Sequence, residues 1–239
     1  MNRRSAAAYV ASLIVAGCGG GGGGGSVGDG AGAAVPATAG PAAAPAPAAF
    51  AGPPSIAMWG DSLTPGIASA FGYLWDPPRQ IFNGGIAGQT SPEIAARATA
   101  DADHRDWITI FWMGHNNDNQ PEQIKADIAA SVAHLAPGNN HFIVLSVLNK
   151  ADGTEDRGSP RYNTIVQLNK DLAAAYGDNF LDIRSFMVGQ SDPNNAEQAD
   201  ELRRDLPSSN LRFDGIHLTG GGDEVVGRRL IDFIRARGW

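Results

Sequence analysis

Cysteine is almost absent from this chain: Cys18 is the single one in 239 residues, so no intramolecular disulfide can form and the fold must rest on its core. The same scarcity removes thiolate ligands, and the five histidines show no His-x-x-x-His spacing, so no metal site is expected. Basic clusters are missing as well. With 18 Lys and Arg against 25 Asp and Glu, the formal charge is -7, which repels polyanions and makes nucleic acid an unsuitable partner. The glycine run from Gly19 to Gly25 precedes no strand-to-helix turn and therefore does not read as a phosphate loop. The apolar stretch from Ala6 to Ala16 is too short to span a bilayer.

What is present at the N-terminus looks like an export signal. Arg3 and Arg4 form a basic region ahead of that apolar stretch, and Val15-Ala16-Gly17-Cys18 follows where a signal peptidase would cut. The tetrapeptide resembles the bacterial lipobox, in which the cysteine becomes the acylated first residue; an ordinary secretory signal with an incidental cysteine is the alternative. Residues 1–18 are thus expected to be a lipoprotein signal peptide, with Cys18 the point of lipidation. Gly19 stands where an aspartate would mark inner-membrane retention, so anchoring in the outer membrane of a bacterial envelope is expected. Residues 19–54 are a Gly/Ala/Pro mixture with nothing large before Phe50. Such a segment cannot offset its own ordering entropy and should form a disordered tether with a reach of roughly 30 to 35 Å. Loss of the first eighteen residues removes two arginines and no acid, which takes the formal charge from -7 to -9.

Residues 55–239 suit one domain with a substantial core. Short apolar runs alternate with longer helical patterns. Strands are expected at Ile56 to Trp59, Gln80 to Asn83, Trp107 to Met113, Phe142 to Leu148 and Phe180 to Ile183. Helices are expected from about Pro65, over Pro92 to Ala100, Pro121 to Leu135 and Ser159 to Tyr176, and over Asp223 to Arg237, where Val225, Val226, Leu230, Phe233 and Ile234 form an apolar stripe. This alternation predicts an α/β fold, a three-layer α/β/α sandwich around a mostly parallel five-stranded sheet. In such sheets ligands bind beyond the carboxyl ends of the strands.

Four motifs fall at that edge. Gly60-Asp61-Ser62-Leu63 follows the first strand, Gly88-Gln89-Thr90-Ser91 the second and Gly114-His115-Asn116-Asn117 the third, while Asp214-Gly215-Ile216-His217 precedes the last helix. In this order they resemble the SGNH hydrolases, also called the GDSL esterase/lipase family. A serine hydroxyl needs a base to remove its proton during attack; His217 is the candidate, and Asp214 could orient its ring. The resemblance implies Ser62 as nucleophile and an oxyanion hole made by the backbone N–H of Ser62, the backbone N–H of Gly88 and the side-chain amide of Asn116. Gly85 rivals Gly88 on position alone, and Gly88 fits the family's Gly-x-Thr-Ser pattern. Asn117 departs from the family's usual aspartate, which puts the hydrogen bonds that support the Asn116 loop in question. No cofactor is implied.

Asp101-Ala102-Asp103-His104 repeats the Asp-x-x-His spacing, but it lies between a helix end and the amino end of the third strand, on the far side of the sheet. His134 and His141 read as solvated surface histidines, His115 as a residue lining the site, and Asp61 as structural. The long polar stretch from Arg184 to Phe213 is expected to wall the site. Its polarity, with His115, Asn117 and Asn119 on the neighbouring loop, suits a hydrated carbohydrate better than a lipid tail. The implied activity is a serine esterase acting on short-acyl esters such as acetyl groups on carbohydrate. A non-catalytic carbohydrate-surface binding lipoprotein is the alternative, and a peptidase a third.

Overall fold

A computed structural model describes residues 55–239; the expected signal peptide, Cys18 and the tether lie outside the described residues. Five strands form one parallel sheet in the order β2-β1-β3-β4-β5. They are β1 (Ile56–Gly60), β2 (Ile81–Gly85), β3 (Ile108–Trp112), β4 (Phe142–Leu145) and β5 (Phe180–Leu181). The helices are α1 (Thr64–Leu74), α2 (Ser91–Ala100), α3 (Pro121–Ala133), α4 (Pro160–Tyr176), α5 (Ile183–Val188), α6 (Ala196–Arg204) and α7 (Gly220–Ala236).

The three layers follow from side-chain alternation along buried strands. Ile56 and Met58 of β1, with Ile108, Ile110 and Trp112 of β3, face Ile67 and Phe71 of α1, Ile183 and Met187 of α5, and Val226, Leu230 and Ile234 of α7. Trp59, Phe111 and Val144 point the other way, onto Ile94 of α2, Ile124 and Ile128 of α3, and Ile165, Leu168 and Leu172 of α4. Reversal of strand order between β1 and β3 opens a crevice at their carboxyl ends, where Ser62 and Asn116 lie.

Boundaries moved where side-chain chemistry decided them. Asp182 ends β5 early, because its carboxylate accepts the Ser185 N–H and caps α5; Ile183 therefore opens a helix rather than closing a strand. At α7 the helix begins three residues before Asp223, at Gly220. Thr219 accepts the Gly222 N–H, and a Cβ on Gly222 would collide with the Leu211 carbonyl, so only glycine lets the helix start against the 3₁₀ turn Ser209–Leu211. The stretch from Arg184 to Phe213 also differs from expectation. It is folded, holding α5, α6 and that turn, with Met187, Val188, Leu206 and Leu211 buried.

Gly60 ends β1 at a close crossing: a Cβ there would meet the Thr64 side chain and lie 2.5 Å from the Trp112 carbonyl oxygen of the neighbouring strand. Backbone cannot yield as a flexible side chain can. Gly60→Ala should therefore lower unfolding free energy by about 1–3 kcal/mol, read from the urea midpoint at unchanged m-value.

Candidate active site

Ser62 occupies the turn between β1 and α1. Asp61 shapes that turn: its Oδ1 accepts the Leu63 N–H at 3.1 Å, and its carbonyl accepts the Thr64 N–H at 3.2 Å. Leu63, at the N-cap of α1, makes no side-chain cap hydrogen bond of its own.

From the opposite end of the chain, a short hairpin delivers Asp214 and His217. Arg212 and Leu218 form an antiparallel bridge, and the Phe213 N–H donates to the His217 carbonyl at 2.9 Å. Inside this loop, Asp214 Oδ1 accepts the backbone N–H groups of Ile216 (2.8 Å) and His217 (2.7 Å), while Oδ2 lies 2.7 Å from His217 Nδ1. Burial pushes the Asp214 carboxyl upward, but the two backbone donors and the imidazole outweigh it and hold the group down at about 2. An ionised carboxylate only accepts, so Nδ1 carries the proton and leaves Nε2 of the neutral ring as an acceptor. That atom lies 2.9 Å from Ser62 Oγ, across 155 residues of sequence.

The two remaining loops are tied to this centre. The Ile86 N–H donates to the Gly60 carbonyl at 3.2 Å, which docks the β2–α2 loop beside the serine turn. Gly88 has φ of +78°, a left-handed conformation that glycine adopts without strain. Asn116 donates through Nδ2 to the Gln89 carbonyl at 2.9 Å, and an amide nitrogen has a second hydrogen to offer. Among the described residues, none accepts the backbone N–H of Ser62 or of Gly88.

No protein-family model and no curated protein matches the chain by sequence. Solved structures do match by fold. A lipase/acylhydrolase from Enterococcus faecalis superposes with a TM-score of 0.59 at 17% identity, over 77% of this chain and 96% of that one. A lipolytic protein of the G-D-S-L family from Desulfitobacterium hafniense gives 0.56 at 16% identity, over 75% and 98%. An acetylxylan esterase from Geobacillus stearothermophilus gives 0.54 at 15% identity, over 76% and 94%. This is the SGNH hydrolase fold.

Several residues that hold this site together were not legible in sequence. His115 is buried rather than lining the site, and its Nδ1 donates to Asp61 Oδ2 at 3.0 Å. The carboxylate it pairs with lies 54 residues away, so no local spacing could reveal it. Asn117 is buried too, with Oδ1 accepting the Ser91 N–H (3.0 Å) and Nδ2 donating to Ser91 Oγ (2.9 Å). Ser91 Oγ in turn donates to Asp127 Oδ2 at 2.7 Å. An ionised aspartate at 117 could not donate to that hydroxyl, so asparagine is the residue this network requires. Arg97, stacked over Trp59, donates to the Gly84 carbonyl, the Gln89 side chain and the Gly60 carbonyl, joining the Ser62 and Gly88 loops from beneath.

The other histidines are structural. His104 forms the same ring-to-carboxylate contact as His217, 2.9 Å to Asp101, but it is stacked on Phe82 at the amino end of β3. His134 and His141 are half-buried rather than solvated: His134 bonds the Asp101 carbonyl and His141 packs against Trp239.

The expected polar wall also reads differently. Glu201 is buried against Arg212, Arg184 donates to Asp205 and Asn149, and Asn195 caps α6. These polar groups satisfy one another rather than face a substrate. Arg212 further donates to the Pro207 and Asp214 carbonyls, so α6 braces the loop that carries Asp214 and His217.

Behind the Asn116 loop, Asp118 and the fully buried Glu155 share the guanidinium of Arg161. Burial pushes the Glu155 carboxyl up to about 7; the Lys150 N–H opposes this and the Asp118 carboxylate adds to it. A carboxyl raised on folding stabilises the native state below its unfolded value of 4.5 and loses that contribution as pH rises through about 7. Glu155→Gln, which mimics the protonated acid, should therefore melt increasingly above wild type as pH rises, the gap in Tm widening by roughly 3–6 °C between pH 5 and 8. Thermal scans at four or five pH values would measure it, and a constant gap would refute it.

Proposed function

We propose that this chain is a serine esterase. The observation that carries the reading is the unbroken relay from Asp214 through His217 to Ser62 Oγ, at 2.7 and 2.9 Å, beside two backbone N–H groups that no described residue engages. A non-catalytic binding protein has no need of a serine hydrogen-bonded to an oriented base.

Catalysis then runs in two balanced halves. Ser62 Oγ attacks the ester carbonyl carbon as its proton passes to His217 Nε2, and the carbonyl π electrons move onto oxygen. The N–H groups of Ser62 and Gly88 and the free hydrogen of the Asn116 amide stabilise that oxyanion. The intermediate collapses, the carbon–oxygen bond to the alcohol breaks, and the alcohol leaves with the proton from Nε2. Water repeats the sequence on the acyl-enzyme and releases the carboxylic acid, restoring Ser62. Asp214, ionised throughout, keeps the ring in the tautomer that can accept and stabilises the imidazolium.

A short acyl group is the favoured substrate. Among the described residues the exposed large hydrophobics are Tyr73, Ile86, Leu202 and Phe213, and only Ile86 and Phe213 lie on loops of the site. Two separate side chains do not make the continuous apolar groove that a long acyl chain requires. The acetylxylan esterase among the similar folds supports an acetylated carbohydrate as the ester.

Ser62→Ala and His217→Ala should each lower kcat by about 10⁴-fold or more without loss of fold, and a fluorophosphonate should label Ser62 alone. Labelling that persists in Ser62→Ala would refute the assignment. Asn116→Ala should reduce kcat by about 10²–10³-fold with little change in KM, because its contact strengthens in the transition state. Longer p-nitrophenyl esters should be poorer substrates than the acetate.

We also propose that the protein is a lipoprotein of the bacterial envelope, acylated at Cys18; the match of residues 15–18 to a lipobox supports this. Cys18→Ser should abolish incorporation of a fatty-acid analogue and release the protein from the membrane fraction. Equal labelling of variant and wild type would refute it.

A further inference from the structure

Phe213 stands out among the aromatic side chains because it is 70% exposed, whereas phenylalanine is ordinarily buried. It sits one residue before Asp214, with its ring 5.9 Å from the His217 imidazole and tilted from it by only 17°. Its backbone is not free to move. The Phe213 N–H is bonded to the His217 carbonyl, Arg212 is bridged to Leu218, and the Arg212 guanidinium grips Glu201 and the carbonyls of Pro207 and Asp214. The backbone that carries this exposed ring is thus held in place beside His217.

Its place relative to the reaction is fixed by proton transfer. In ester hydrolysis the leaving alcohol takes its proton from His217 Nε2, so that oxygen must come within hydrogen-bond reach of the imidazole. A ring packed alongside the same imidazole is therefore close to the group that the leaving alcohol must approach. The hydroxyl-rich edge of a sugar tolerates water, while its C–H face gains from a flat apolar surface, so one rigid exposed ring suits a pyranose in a way that it cannot suit a long alkyl chain.

We propose that Phe213 is a specificity-determining residue, a stacking platform for the sugar ring that forms the alcohol part of the ester. The inference rests on the esterase reading above and deepens it. If Phe213 served only to prop His217, every ester would suffer equally on its removal. A platform instead penalises esters in proportion to the sugar they carry.

The test compares wild type, Phe213→Ala and Phe213→Trp on acetylated xylo-oligosaccharide, ethyl acetate and p-nitrophenyl acetate. Phe213→Ala should lower the ratio of kcat/KM on the sugar ester to that on ethyl acetate by about five- to tenfold, with the loss in KM, and Phe213→Trp should restore it. Unacetylated xylo-oligosaccharide, titrated calorimetrically, should bind wild type more tightly than Phe213→Ala, a readout that needs no turnover. An equal fall on all three esters, no change in the ratio, or dependence on Phe213 for the p-nitrophenyl ester alone would overturn the platform. Wild type that binds the sugar through Phe213 yet cleaves none of the esters would instead overturn the esterase reading while leaving the sugar contact standing.

Discussion

The buried carboxylate of Asp61 is the constraint on which the rest of the site depends. It is wholly shielded from solvent, and its two oxygens reach in two directions: one accepts the Leu63 N–H and sets the turn that presents Ser62, the other accepts His115 Nδ1–H from the loop after β3. A buried charge of this kind is costly unless fully engaged, so the two loops cannot drift apart without stranding it. Ser62 and Asn116 are thereby held in one frame. Neither Asp61 nor His115 contacts His217, yet their pairing helps to set the geometry of the Ser62 turn and the Asn116 loop.

Two further ties complete the frame. Asn117, Ser91 and Asp127 form a buried chain that joins the third loop to the start of α2, and Arg97 joins the end of β1 to the end of β2. Asp214 and His217 arrive on a different support. Arg212, paired with buried Glu201 of α6, holds the Asp214 carbonyl, and the Ala151 N–H donates to the Gly215 carbonyl at 2.8 Å. The segment between β5 and α7 therefore acts as a brace for the hairpin that carries Asp214 and His217. Preorganisation of this sort is what makes electrostatic stabilisation effective, because donors that are already in place need not reorganise as charge develops.

Sequence reading succeeded where chemistry and covalent proximity coincide. The Asp214–His217 contact spans three residues and is almost entirely local, as is the turn from Gly60 to Ser62, so both were visible in short motifs. The strands were visible because residues buried on both faces must be apolar throughout. It failed for polar groups. The stretch from Arg184 to Phe213 contains many acids, arginines and asparagines, and from sequence these look like a solvated wall. In the fold they neutralise one another in pairs, Glu201 with Arg212 and Arg184 with Asp205, in a stretch that also buries Leu206 and Leu211.

The sequence by itself determined the order of elements and singled out Ser62, His217 and Asp214 as residues that the fold would bring together, since period and local spacing are properties of the chain. Only the tertiary structure decided which polar residues are buried and with what partners: that His115 belongs to Asp61, that Asn117 is needed as a donor, and that Phe213 is left bare beside His217. The physical reason is that hydrophobic pattern reports whether a residue must leave water, whereas the partner that makes burial of a polar group tolerable is chosen by the fold, across separations such as the 54 residues between Asp61 and His115.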